Sequence, residues 1–144
     1  PEWVDDMFSP DQLDDQLPHA DFVVLTIPHT PSTEGLFDST KFVLMKNSAI
    51  FINIGRGMTT KLHDLNNALR SGQIGGAGLD VYEIEPLPED HPLWDAPNTI
   101  LTPHTAALGG ANLDERRYEI VVENFRNFSD QKPLRNEVDK ANWF

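Results

Sequence analysis

Four short apolar runs, each closing on a glycine, a proline or a charged residue, constrain this 144-residue chain more than any other feature. The runs are Phe22 to Ile27, Ala49 to Ile54, Gly75 to Leu79 and Thr99 to Thr102. A run that is apolar throughout, without alternation, predicts a parallel strand buried on both faces. Helical spacing fills the gaps between them. Leu62, Leu65 and Leu69 share one face, with Gly72 as the stop, and Ser39 to Met45 predicts a shorter helix. From Ala107 to Phe128, Leu113, Ile120, Val121, Phe125 and Phe128 fall on one face of a long helix. Strands alternating with helices predict an α/β fold built on a parallel sheet. At this length a single core of ordinary size is expected.

In an open α/β sheet, ligands bind beyond the carboxyl ends of the strands. Those ends here carry Pro28-His29-Thr30, Gly55-Arg56-Gly57, Asp80 and Pro103-His104, so four polar clusters are predicted to converge on one crevice. Arg56 between two glycines can clamp a carboxylate with two parallel hydrogen bonds, which Lys cannot imitate. It can equally pair with a surface carboxylate at a helix start. His104 has the side chain suited to proton transfer near neutral pH, and Glu85 is the carboxylate that can support its imidazolium. A capping histidine and a solvated acid are the plainer alternatives. Asp80 ends an apolar run, where a carboxylate needs hydrogen bonds, as a ligand contact or as a turn residue. His29 is placed in the crevice on its cofactor side, whereas His19, His63 and His91 read as loop or helix-surface residues.

Composition narrows the function. The net charge of −12 lacks the basic footprint of nucleic-acid binding. No apolar run approaches the roughly eighteen residues of a membrane span. The absence of cysteine removes disulfides and thiolate metal sites, in keeping with a cytoplasmic setting.

The ordered motifs Gly55-Arg56-Gly57, Gly78-Leu79-Asp80-Val81-Tyr82-Glu83, Glu85-Pro86-Leu87-Pro88, Pro92-Leu93-Trp94 and Thr102-Pro103-His104-Thr105-Ala106 resemble those of the D-isomer-specific 2-hydroxyacid dehydrogenases. Thr26-Ile27-Pro28 with Thr30-Pro31-Ser32-Thr33-Glu34-Gly35 looks like the family's cofactor-side loop, and the likeness runs from about Ala20 to Lys140. The resemblance implies the second half of a doubly wound, Rossmann-type sheet with flanking helices. It implies a catalytic set of Arg56, Glu85 and His104. Arg56 would bind the substrate carboxylate, His104 would donate the proton to the carbonyl oxygen, and Glu85 would keep His104 protonated. Ile27, Pro28, Thr33, Ile54, Gly55, Asp80 and Ala106, with Arg56 and His104, would contact NAD or NADP, Asp80 through the nicotinamide amide. The implied reaction reduces a small 2-keto acid of the glyoxylate/hydroxypyruvate kind to a D-2-hydroxy acid. The rival function is an NAD-binding transcriptional corepressor, which shares this fold and catalytic set.

Three departures follow from the same comparison. Thr60-Lys61 stands where the family commonly has Val-Asp, so Thr59 or Thr60 is expected to cap the next helix. Ala107 replaces a frequent Gly or Ser. The Gly-rich strand-to-helix turn that holds pyrophosphate occurs nowhere in the sequence. The chain is therefore expected to be the carboxyl-terminal part of a longer protein, inactive alone. Residues 1–105 would complete a dinucleotide-binding domain, and 106–144 would return toward a substrate domain. Phe22 to Ile27 would then be an uncovered edge strand that drives homodimer formation.

Overall fold

A computed structural model of the chain describes residues 2–106, 108 and 110–141. It has two compact units, Pro1–His104 and Thr105–Phe144.

The first unit is a four-stranded sheet with helices. In chain order it contains α1 (Leu13–Gln16), β1 (Phe22–Leu25), α2 (Ser39–Phe42), β2 (Ile50–Asn53), α3 (Leu62–Ser71), β3 (Gly76–Leu79) and β4 (Thr99–Leu101). The strands lie in the order β1-β2-β3-β4 and every pair is parallel. All four carboxyl ends therefore share one edge, as the second half of a doubly wound sheet requires. Among the described residues β1 pairs on one side only, so it is an edge strand. Each strand is a residue or two shorter than its apolar run, because the ends turn into the loops that carry the polar clusters.

The core lies on one face of the sheet. Phe37, Phe42 and Phe51 meet with ring centroids 5.0 to 6.0 Å apart, surrounded by Leu17, Leu62, Leu65, Leu69 and Leu79. Full burial of each aromatic ring contributes roughly 1.5–3 kcal/mol. Burial on both faces, expected from the apolar runs, is not what β1 shows. Phe22 and Val24 stand 66% and 52% exposed, and Ile100 of β4 is 72% exposed. Their apolar character therefore outruns the cover they receive, and the expectation holds for one face only.

The helix α3 closes as the sequence predicts. Gly72 takes a left-handed conformation (φ 71°), and the Gln73 N–H bonds back to the Ala68 carbonyl. Its opening differs from the prediction. Thr59 and Thr60 do not cap it; both are fully buried and turn their hydroxyls to Asn53. The Leu62 N–H is taken instead by Glu83 Oε2, at 2.7 Å, from the loop after β3. That carboxylate also favours the positive end of the helix.

In the second unit the long helix α4 runs Leu113–Ser129, later than the expected start at Ala107, which lies outside the described residues. Asn112, in a left-handed conformation, precedes it. The tail folds back on α4, where the Asn124 side chain accepts from the Arg135 N–H (2.7 Å) and donates to its carbonyl (2.9 Å). Val121, Phe125 and Phe128 do form one stripe, and all three are exposed. No helix among the described residues is long and apolar enough to cross a membrane.

Candidate active site

Arg56 follows β2 on a loop whose path is set from below. Asn53, fully buried, accepts the Gly55 N–H on Oδ1 (3.0 Å) and donates Nδ2 toward the Arg56 carbonyl (3.2 Å) and the Thr60 hydroxyl (3.0 Å). A buried amide with all its partners made costs little and fixes the backbone around it. Gly57 lies so close to the chain after β3 that an added Cβ would sit 1.9 Å from the Tyr82 carbonyl oxygen. Only a residue without a side chain permits that approach. The Arg56 side chain is exposed and donates Nη1 to the Gly55 carbonyl at 2.7 Å. Among the described residues it forms no ion pair, so the surface-carboxylate alternative finds no partner here.

Two short bonds brace this end of the sheet, one between Asp80 and Thr102 and one between Glu85 and His104. Asp80 is buried after β3, where its Oδ1 accepts from the Thr102 hydroxyl at 2.6 Å. Glu85 is shared between two donors: Oε1 takes the Tyr82 N–H (3.0 Å) and Oε2 takes His104 Nδ1 (2.6 Å). Burial pushes the Glu85 carboxyl up, but the His104 and Tyr82 hydrogen bonds and the charge on His104 outweigh it. Its pKa settles below the usual 4.5. His104 has φ 53°, a left-handed conformation that costs a non-glycine residue about 1–2 kcal/mol. Its N–H closes a tight turn onto the Thr102 carbonyl (3.1 Å). The capping alternative for His104 is not what the structure shows, since its ring engages Glu85.

Tyr82 ties these parts together, and sequence reasoning did not single it out. Its hydroxyl lies 2.9 Å from the Thr102 carbonyl and 3.2 Å from that of Leu79. Burial, and then the charge of Asp80, raise the phenol pKa, which keeps the group a donor. A cavity of about 580 Å³ opens beside the Glu85–His104 pair, walled by Tyr82, Leu87, Trp94, Leu101 and Pro103.

The remaining predicted contacts are distributed as follows. Ile27 (half-buried) and Pro28 (exposed) follow β1, and Ile54 (46% exposed) follows β2 beside buried Gly55. Thr33 folds its loop inward, with its hydroxyl 2.7 Å from the Pro28 carbonyl and 2.8 Å from the Thr30 N–H. His29, on the same loop, lies 3.4 Å from Glu34. Ala106 belongs to the second unit. His19 and His63 are exposed, and His91 accepts the Leu93 N–H at the start of a short 3₁₀ turn. Among the described residues no group of histidine and carboxylate side chains could hold a metal ion.

Residues 2–106 match the family described as D-isomer specific 2-hydroxyacid dehydrogenase, NAD binding domain. The chain belongs to this family. Among curated relatives of the 2-hydroxyacid dehydrogenases it is 47% identical, over 128 residues, to glyoxylate/hydroxypyruvate reductase B of Escherichia fergusonii. That match covers 89% of this chain and 38% of the relative. Solved family structures superpose closely. A D-isomer specific 2-hydroxyacid dehydrogenase from Xanthobacter autotrophicus, with NADPH and MES, gives a TM-score of 0.82 at 37% identity, covering 90% of this chain and 52% of that one. The NADPH-dependent glyoxylate/hydroxypyruvate reductase of Sinorhizobium meliloti, with NADP and sulfate, gives 0.85 at 34%, covering 95% and 44%. The chain thus spans less than half the length of the curated relatives it matches.

Proposed function

We propose that this chain supplies the catalytic and nicotinamide-side residues of an enzyme that reduces a small 2-keto acid, of the glyoxylate or hydroxypyruvate kind, to a D-2-hydroxy acid with NADH or NADPH. The observation that carries the reading is the 2.6 Å Glu85–His104 bond at one strand end, with the Arg56 guanidinium, in no ion pair among the described residues, two strands away on the same sheet edge. In this reading Arg56 leaves the Gly55 carbonyl and grips the substrate carboxylate through two hydrogen bonds. His104, with Nδ1–H engaged by Glu85, holds its transferable proton on Nε2 and gives it to the carbonyl oxygen. Solvent then reprotonates the imidazole.

The residues present suit one end of a dinucleotide. Ile27, Pro28 and Ile54 offer an apolar wall at the strand ends, and Asp80 offers a buried acceptor for an amide. When bound, the reduced nicotinamide supplies the two-electron reducing equivalent. Pyrophosphate requires donors from a Gly-rich helix start, and this sequence has none. We therefore assign that task to residues outside the chain, with 1–105 as the carboxyl-terminal half of the cofactor domain and 106–144 as the return toward a substrate domain. We place the enzyme in the cytoplasm, taking small acids and not nucleic acid, which the absence of cysteine and the charge of −12 support. Taken by itself this chain is proposed to form a homodimer through its open β1 edge.

Arg56→Lys in the full-length protein tests the clamp. Catalytic efficiency toward glyoxylate is expected to fall by about a hundredfold or more while NADPH affinity stays unchanged. Near-normal turnover with Lys would remove Arg56 from substrate binding. No keto-acid turnover by the parent, together with capture of a peptide partner, would favour the corepressor function.

A further inference from the structure

We propose that Tyr82 is the positioning residue for the proton donor, its hydroxyl holding the His104 turn in register with Glu85 and Asp80. The proposal rests on reading His104 as that donor. Tyr82 is buried, 6% exposed, at the point where the chain leaves β3. Three of its groups engage the site. The hydroxyl has one proton to give, and its shorter contact, 2.9 Å, is to the Thr102 carbonyl. That same carbonyl accepts the His104 N–H and so closes the left-handed turn that presents the imidazole. The Tyr82 N–H holds Glu85 Oε1, leaving Oε2 aimed at His104 Nδ1. The Tyr82 carbonyl, third, faces Gly57 at a distance no side chain would allow, which seats the Arg56 loop against it.

Thr102 is consequently gripped at both ends, its carbonyl by Tyr82 and its hydroxyl by Asp80 at 2.6 Å. A left-handed histidine relaxes toward commoner conformations when the peptide before it is free to turn. Without the phenol proton, the Thr102 carbonyl keeps only the His104 N–H, which moves with the residue it should restrain. The aromatic ring supplies packing, and the hydroxyl supplies orientation. The two contributions separate in Tyr82→Phe, which keeps the ring and leaves both carbonyls one backbone partner each, from Thr102 and His104.

Two measurements decide the matter. In the ¹⁵N-labelled chain, the His104 Nδ1 proton is identified by its loss in Glu85→Gln, and its exchange with water is timed. Tyr82→Phe is expected to speed that exchange roughly tenfold. In the full-length protein the same substitution is expected to lower kcat roughly tenfold with the KM for NADPH unchanged. A purely structural Tyr82 would lower the melting temperature and leave exchange and kcat in the folded protein as they were. Either readout unchanged in Tyr82→Phe overturns the proposal. Failure of the proton-donor reading looks different: His104→Asn would then retain the parent kcat.

Discussion

Replacing Gly57 with Ala should damage this chain more than a methyl group added at any other glycine among the described residues. The new Cβ would lie 1.9 Å from the Tyr82 carbonyl oxygen, 2.0 Å from its carbon and 2.4 Å from its nitrogen, all of them backbone atoms. Ordinary contact begins near 3.4 Å, so one strand of chain must retreat by about 1.5 Å in a close-packed region. Overpacking typically costs 1–3 kcal/mol, and a collision with backbone belongs at or above the top of that range, about 3 kcal/mol. For a chain of this size that corresponds to a melting temperature lower by roughly 10 °C. Companion variants isolate the cause. Gly55→Ala meets the Ile27 carbonyl at 2.8 Å and should lose about 1–2 kcal/mol. Gly72→Ala meets nothing within 4 Å but sits at φ +71°, so it should lose about 1–2 kcal/mol from conformation alone. Gly78→Ala touches only Ile52, at 3.8 Å, and should be neutral or gain up to about 1 kcal/mol. Urea unfolding of the four variants gives the ranking. If Gly57→Ala proves no worse than Gly72→Ala, the close approach of the Arg56 loop to Tyr82 is wrong.

Three other perturbations probe the supports of the site. Asn53→Ala strands the Gly55 N–H and removes the donor to the buried Thr60 hydroxyl, while the Thr59 hydroxyl keeps the Arg56 carbonyl; it should cost about 2–3 kcal/mol in urea unfolding, with faster amide exchange concentrated at Gly55 and Thr60. Glu83→Ala should cost about 0.5–2 kcal/mol, the value of a helix cap, although Glu83 lies 21 residues from the helix it serves; circular dichroism melting reads this. Because the Glu85 pKa is lowered by folding, its contribution to stability is present above the usual 4.5 and disappears as pH falls through the lowered value. The stability difference between the parent and Glu85→Gln should therefore be seen near neutral pH and close below pH 4.5, and a gap that widens in acid would reverse the assigned sign.

The sheet was legible because parallel strands leave apolar runs and their carboxyl ends leave chemistry. Arg56 and His104 stand out as unusual residues at those ends, Glu85 lies in the proline-rich turn beyond β3, and the family's motifs tie the three together. What the sequence did not display were the groups acting across it. Glu83 caps α3 from another loop, whereas the local cap candidates Thr59 and Thr60 turn their hydroxyls to Asn53 and, for Thr59, to the Arg56 carbonyl. Asn53 reads as the polar end of an apolar run, a signal that a buried amide was needed there. Tyr82 reads as one more core aromatic, since nothing local shows that its hydroxyl reaches a carbonyl 20 residues away. The exposed face of β1 was hidden for the converse reason: apolar content records what a strand is built to meet, and Phe22 and Val24 meet no cover here.

The most direct test of the account is the absorbance of NADPH at 340 nm, followed in the full-length protein with glyoxylate and with hydroxypyruvate, beside His104→Asn. The account predicts keto-acid-dependent oxidation in the parent and a loss of kcat by about a thousandfold in His104→Asn, with NADPH still bound. Equal rates in the two proteins would contradict it.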